Sequence, residues 1–181
     1  MQGGTAMKTL IIVSHPNISK SVINKQWIEE LQKYPEKYTV HELKKEYPDE
    51  KIDVKKEQQL VEEHGTIIFQ FPINWYASPP ILKKWIDNVL TYGWAFGKNG
   101  DKFQNRKVAL AVSAGIKKED YQSRKYHYTL EELLAPFEAT FRGYCHADYG
   151  PLFAFYGATA APSKEEIEQS AKEYLNFIEN L

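Results

Sequence analysis

Three short segments of this chain hold residue types that could do chemistry. The first, residues 14–24 (SHPNISKSVIN), supplies the imidazole of His15, hydroxyls at Ser19 and Ser21, and the start of a helix. Backbone N–H groups at a helix N-terminus bind phosphate whatever the side chains around them. The loop lacks the glycines that let backbone wrap a pyrophosphate, so a single phosphate is the fitting anion. Ordinary capping by Ser19 or Ser21, with His15 packed in the loop, explains the same residues. The second segment, residues 71–80 (FPINWYASPP), puts Asn74, Trp75 and Tyr76 between an apolar run and a Pro-started helix. Its amides could reach the edge of a planar heterocycle with Trp75 packed beside it; the alternative is that Trp75 and Tyr76 cover the helix behind them. The third opens with Ser113, Ala114 and Gly115, where glycine lets backbone approach a flat ring. It runs on to Tyr121 and His127, six residues apart.

Other chemistries lack their residues. There is no G-x-x-x-x-G-K-[ST] and no G-x-G-x-x-G, and no G-x-S-x-G nucleophile elbow. His15, His41, His64, His127 and His146 show no ligand spacing such as H-E-x-x-H, so no metal is expected. Cys145 is the only cysteine, which rules out an intrachain disulfide and suits a reducing cytoplasm. Flanked by Tyr144 and His146 in what reads as a buried strand, it is a small inert hydrophobe.

The segments sit in a chain that alternates strand-like and helix-like runs, the pattern of a parallel α/β sheet. Strands are expected over residues 8–14 (KTLIIVS), 38–43, 66–71 (TIIFQF), 107–113 (KVALAVS) and 144–149. Helices are expected from about Ser21 to Lys33, over 54–64, from Ile81 to Leu90, over 129–141 and over 163–180. Thr129 with Glu132, and Ser163 with Glu166, form two capping boxes. The connection 114–128 reads as a long loop. Five strands and five helices give one domain, a three-layer flavodoxin-like sandwich with a parallel sheet ordered 2-1-3-4-5. In such a sheet ligands bind beyond the carboxyl ends of the strands, near the switch in strand order. All three chemical segments leave such ends.

Bulk properties narrow the partners. With 23 Lys+Arg against 24 Asp+Glu the net charge is −1, which offers no electrostatic case for nucleic acid or an anionic membrane. No apolar run approaches the roughly 18 residues of a membrane span. Residues 1–6 are small and polar, without the basic start and apolar core of a secretory signal, and Met7 directly precedes a strand pattern. They read as a cloning remnant, with 7–181 as the domain. Aromatics reach 14%, and Trp75, Tyr76, Trp85, Tyr92, Trp94 and Phe96 crowd one stretch, more than one helix and its loops can bury. Since large aromatics favour interface cores, a homodimer is expected.

Residues 69–97 (FQFPINWYASPPILKKWIDNVLTYGWAFG) resemble the NAD(P)H quinone oxidoreductases of the flavodoxin-like superfamily. The bacterial general-stress NAD(P)H oxidoreductases and the ancillary flavoproteins of glutathione-gated potassium-efflux systems share its pattern: P-x-x-W-Y/F-x-x-P-x-x-L-K-x-W-x-D-x-V, then G-W-A-[FY]-G. The S-H-P start and the Ser21/Asn24 spacing agree, and the resemblance spans residue 8 to about 181. It implies FMN rather than FAD, with NAD(P)H as co-substrate and a quinone-like acceptor. It carries FMN contacts onto His15, Ser21, Val22, Ile23 and Asn24 near the phosphate. Ile73, Asn74, Trp75 and Tyr76 fall along the ring, and Ser113, Ala114, Gly115 and Ile116 along its polar edge. Where the family has a second glycine this chain has Ile116, a bulk that would crowd the ring. A Tyr and a His at the spacing of Tyr121 and His127 line the same loop in mammalian quinone reductases, which makes this pair the catalytic candidates. The resemblance implies hydride transfer by ping-pong kinetics. It also admits a regulatory flavoprotein attached to a potassium-efflux antiporter at the membrane. A flavodoxin-type carrier fits less well, since those are strongly acidic and open on T/S-x-T-G-x-T.

Overall fold

A computed structural model describes residues 7–181, so the expectation for residues 1–6 lies outside the described residues. Five strands form one parallel sheet: β1 (Thr9–Val13), β2 (Tyr38–Glu42), β3 (Thr66–Pro72), β4 (Lys107–Ser113) and β5 (Asp148–Phe155). Their order is β2-β1-β3-β4-β5, so the switch point falls between β1 and β3. Successive side chains of a strand point to opposite faces, and both faces are covered. On one face Ile11, Val13, Ile68, Ala109 and Ala111 pack with Trp27 of α1 (Ile23–Leu31) and Tyr174 of α8 (Lys164–Glu179). On the other, Leu10, Ile12, Phe69 and Phe71 pack with Val61 of α3 (Val54–Glu62), Trp85 of α4 (Pro80–Val89) and Phe141. This is the three-layer arrangement that the alternation of segments predicts.

The expected elements need correction in three places. The last strand is Asp148–Phe155, not 144–149. The dipeptide Gly150-Pro151 looks like a strand breaker, but β5 is an edge strand, where proline is tolerated. The ladder also shifts register opposite it, between Val108 and Leu110. Cys145 therefore follows a helical segment rather than lying on a strand; it is buried, and burial pushes its thiol up to about 11, which suits an inert role. The helix expected over 129–141 is broken. Leu130–Leu133 (α6) and Ala135–Glu138 (α7) are single turns, followed by a π-helical stretch Ala139–Tyr144. Pro136 has no N–H to donate back into α6, which explains the break. Both capping boxes are formed. Third, short helices occupy expected loops: α2 (Leu43–Glu46), α5 (Lys118–Gln122) and a 3-10 turn at Ile18–Lys20.

The aromatic stretch divides. Trp85 and Trp94 are buried within this chain, their indole N–H groups donating to Glu57 and Glu62 at 2.7 Å each. Trp75 and Tyr92 remain exposed.

Candidate active site

The loop after β3 has an unusual backbone. The Asn74 N–H donates to the Ala77 carbonyl at 2.8 Å and the Ala77 N–H donates back at 3.0 Å. Between them Trp75 and Tyr76 have φ of +46° and +65°. This is a two-residue turn of the I′ kind, which normally calls for Asn-Gly because both central residues need positive φ. For other residues the left-handed conformation costs about 1–2 kcal/mol each. Strain of this sort gathers at functional sites. Trp75 is 94% exposed, so burial of its ring within this chain does not offset the strain. Neither central N–H has an acceptor among the described residues.

The loop after β4 faces it. The Ala114 N–H donates to the Phe155 carbonyl, and the N–H groups of Gly157 and Ala158 donate to the carbonyls of Ile116 and Ala114. These bonds draw the β5–α8 connection alongside. Thr159 Oγ1 donates to the Gly115 carbonyl at 2.9 Å, and a Cβ on Gly115 would stand 3.0 Å from Thr159 Cγ2. Glycine at 115 therefore makes room for Thr159. Ile116 packs partly against the core, and the N–H groups of Gly115 and Ile116 have no acceptor among the described residues.

A cavity of about 580 Å³ lies between these loops, lined by Ile73, Trp75, Tyr76, Gly115, Ile116, Lys117, Asp120, Tyr121, Tyr126, Thr159 and Ala160. That is an ordinary size for a small-molecule or cofactor site. Tyr121, on α5, is 2% exposed and packs its ring 5.7 Å from that of Tyr156. Burial, with the Tyr76 and Tyr126 phenols nearby, holds its pKa above the usual tyrosine value, so it is an O–H donor at neutral pH. His127 is exposed at φ +72° and does not line the cavity; its neighbour Tyr126 does.

The loop after β1 forms a second cavity of about 280 Å³, lined in part by His15, Asn17, Ser19, Glu42, Lys44 and Lys45. His15 Nδ1 accepts the Asn17 N–H at 3.0 Å. Burial lowers the His15 pKa, favouring a neutral ring whose proton is on Nε2. Ser21 Oγ accepts the Asn24 N–H at 3.1 Å and keeps its own proton to donate. Ser19 Oγ donates to Asn17 Oδ1 at 2.6 Å. Val22 is exposed and Ile23 is in the core, so only their backbone could meet an anion at the start of α1.

Between the loops lies a buried polar floor. Asn24 Nδ2 donates to Ser113 Oγ at 2.9 Å, and Gln70 Nε2 donates to Asn24 Oδ1 at 3.3 Å. The side chains of Asn24 and Ser113 thus tie the first and third loops together, and Ala114 is fully buried beside them. Ser14 Oγ and Gln70 Oε1 are buried there without a partner. A planar heterocycle with polar edges, carrying one phosphate, fits this donor set: unpaired N–H groups and a phenol beside the larger cavity, an imidazole beside the smaller and the Ser21 hydroxyl at the start of α1.

Sequence reasoning missed Lys117, Asp120, Thr159 and Ala160 on the wall. Thr159 and Ala160 belong to the loop leaving β5. With that strand placed too early, the loop did not register as a fourth carboxyl end.

A doubly wound parallel sheet with its cavities at the carboxyl ends of the strands, beside the switch point, is the α/β class in which ligands bind at that edge. The chain belongs to the family described as Flavodoxin-like fold, which it matches over residues 7–178. It is 50% identical to general stress protein 14 of Bacillus subtilis over 96% of this chain and 98% of that protein. It is 46% identical to the uncharacterized NAD(P)H oxidoreductase YrkL of the same organism, over 95% of this chain and 98% of that protein. The structure of general stress protein 14 from Treponema denticola in complex with FMN superposes with a TM-score of 0.90 at 46% identity, covering 96% of this chain and 98% of that one. An NADPH-quinone reductase from P. pentosaceus gives 0.84 at 27% identity, over 94% and 97%.

Proposed function

We propose that the protein is an FMN-dependent NAD(P)H oxidoreductase that reduces quinone-like acceptors by two electrons. The observation that carries this reading is the larger cavity, whose walls include four residues with unpaired backbone N–H groups and a strained, exposed Trp75–Tyr76 turn. The FMN complex of a 46% identical protein supports the choice of cofactor.

FMN, when bound, supplies the hydride chemistry between nicotinamide and acceptor. His15 Nε2–H, the Ser21 hydroxyl and the backbone of Val22 and Ile23 would hold the phosphate. The N–H groups of Trp75, Tyr76, Gly115 and Ile116, with Ile73 on the same wall, would hold the ring. Nicotinamide and acceptor use the same cavity in turn, which requires ping-pong kinetics. Its aromatic walls suit flat acceptors.

Of the two catalytic candidates the geometry favours Tyr121, which is on the wall, over exposed His127. A phenol on that wall would stabilise negative charge on a reduced flavin. In stopped flow, Tyr121→Phe should slow flavin reduction by NAD(P)H about tenfold, the loss of roughly 1.4 kcal/mol of transition-state stabilisation. Tyr126→Phe should have a larger effect than His127→Ala. Flavin reduction at the wild-type rate in Tyr121→Phe, with only reoxidation by quinone altered, would remove Tyr121 from this role.

A further inference from the structure

We propose that Lys118 reads the 2′-phosphate of NADPH in a neighbouring cavity, so that the enzyme prefers NADPH to NADH. The inference rests on the larger cavity being the flavin and nicotinamide site. A cavity of about 420 Å³ adjoins that site, and Lys117 and Ala160 line both. Its walls also include Lys118, Tyr156, Ala161 and Pro162. The His15 loop, assigned to the flavin phosphate, follows β1, whereas this cavity lies beyond β4 and β5. It therefore offers the rest of a dinucleotide a place beside a nicotinamide in the larger cavity.

The chemistry of its walls suits an anion. The Lys118 ammonium stands 5.9 Å from the centroid of the Tyr156 ring, an arrangement that holds it at the cavity. Neither Lys117 nor Lys118 takes part in an ion pair among the described residues. The Ala160 N–H donates to the Gly157 carbonyl, but the N–H of Ala161 has no acceptor among the described residues. Ala161 has φ +51°, and left-handed turns with free N–H groups form anion-binding concavities. Two carboxylates share the walls. That of Glu166 is occupied by the Ser163 N–H at 2.7 Å in the cap of α8. That of Glu119 is exposed and has no ion-pair partner among the described residues. Two ammonium groups without an ion pair among the described residues thus share the walls with two carboxylates, of which that of Glu166 is engaged in the cap of α8. The two nicotinamide dinucleotides differ only in the adenosine 2′-phosphate, the group that Lys118, held over Tyr156, is placed to meet. If Glu119 instead gripped the ribose hydroxyls, NADH would be preferred.

The test compares adenosine 2′,5′-bisphosphate with adenosine 5′-monophosphate by titration calorimetry, and NADPH with NADH in flavin reduction. Wild type should bind the bisphosphate at least about tenfold more tightly, the size of one charge-assisted contact. Lys118→Ala should bring the two ligands within about twofold and lower the NADPH/NADH ratio of kcat/KM roughly tenfold, and Lys118→Arg should restore most of both. Equal binding of the two adenylates by wild type, tighter binding of the monophosphate, or a preference that survives Lys118→Ala overturns the proposal. Flavin content of the same samples separates the two readings. Protein that takes up no FMN yet still prefers the bisphosphate refutes the flavin assignment and leaves the phosphate site standing.

Discussion

At Trp75 and Tyr76 the chain holds two bulky residues where glycine or asparagine would relax the backbone. The turn is therefore less stable than it could be, and the strain fixes the direction of the N–H groups assigned to the flavin. Replacing the pair by the turn's preferred residues, Trp75→Asn with Tyr76→Gly, should stabilise the fold by about 1–2 kcal/mol. For a chain of this size that raises Tm by roughly 2–8 °C. The same double variant should weaken FMN binding, because it removes aromatic surface beside the cavity. Calorimetry and flavin titration on one sample check both halves; a lower Tm would show that the turn is not strained. Individual residues were unevenly legible. His15, Ser21 and the loop carrying Trp75 stood out by type and position. The turn geometry did not, since Trp-Tyr is not a turn pair. Asn24 and Ser113 read as ligand contacts, but their side chains bond each other at 2.9 Å. Only the fold reveals that bond, because it brings together residues 89 apart in sequence.

Among the elements, the joint that braces α4, and with it the Trp75 loop, is Glu57 of α3. Its carboxylate is fully buried and accepts from Tyr47 Oη at 2.5 Å, Trp85 Nε1 of α4 at 2.7 Å and His41 Nε2 of β2 at 2.8 Å. Burial alone would raise its pKa; the bonds to His41, Tyr47 and Trp85 outweigh this and hold it below 4.5. A carboxyl group depressed by folding adds stability that is fully present above its unfolded pKa and fades as pH falls through the folded one. Glu57→Gln should therefore cost about 3 kcal/mol at neutral pH. Thermal unfolding across pH 7 to 3 should show this gap constant at first and closing below about pH 4.5. A gap that persists unchanged to pH 3 would mean the charge is not the stabilising feature. In the sequence Glu57 looked like one more charge on a polar helix, because the partners that bury it come from three other elements. The central strands and α4 were plain from apolar periodicity. β5 was not, because Pro151 is acceptable only at a sheet edge, and edge position is decided by the whole sheet.

Over the whole molecule, the fold class and strand order followed from alternation alone, whereas the outer surface carries information that sequence periodicity does not. Tyr92 and Tyr144 are 69% and 62% exposed, and Phe96 joins them, its ring 5.9 Å from Tyr92 and 4.8 Å from Tyr144. We propose that this aromatic patch is covered in a homodimer, since exposed apolar clusters mark interaction surfaces. Sedimentation equilibrium at micromolar concentration should give twice the chain mass of 21.0 kDa, and Tyr144→Glu should shift it toward the single chain. A mass of 21.0 kDa in the wild type would contradict this. The central claim is that the carboxyl ends of β1, β3 and β4 hold a flavin with one phosphate. Its most direct test is the flavin content of the purified protein after incubation with FMN and FAD together, followed by gel filtration, denaturation and chromatography of the released cofactor. The protein should be yellow and release FMN at close to one per chain. Colourless protein, or protein that releases only FAD, would contradict it.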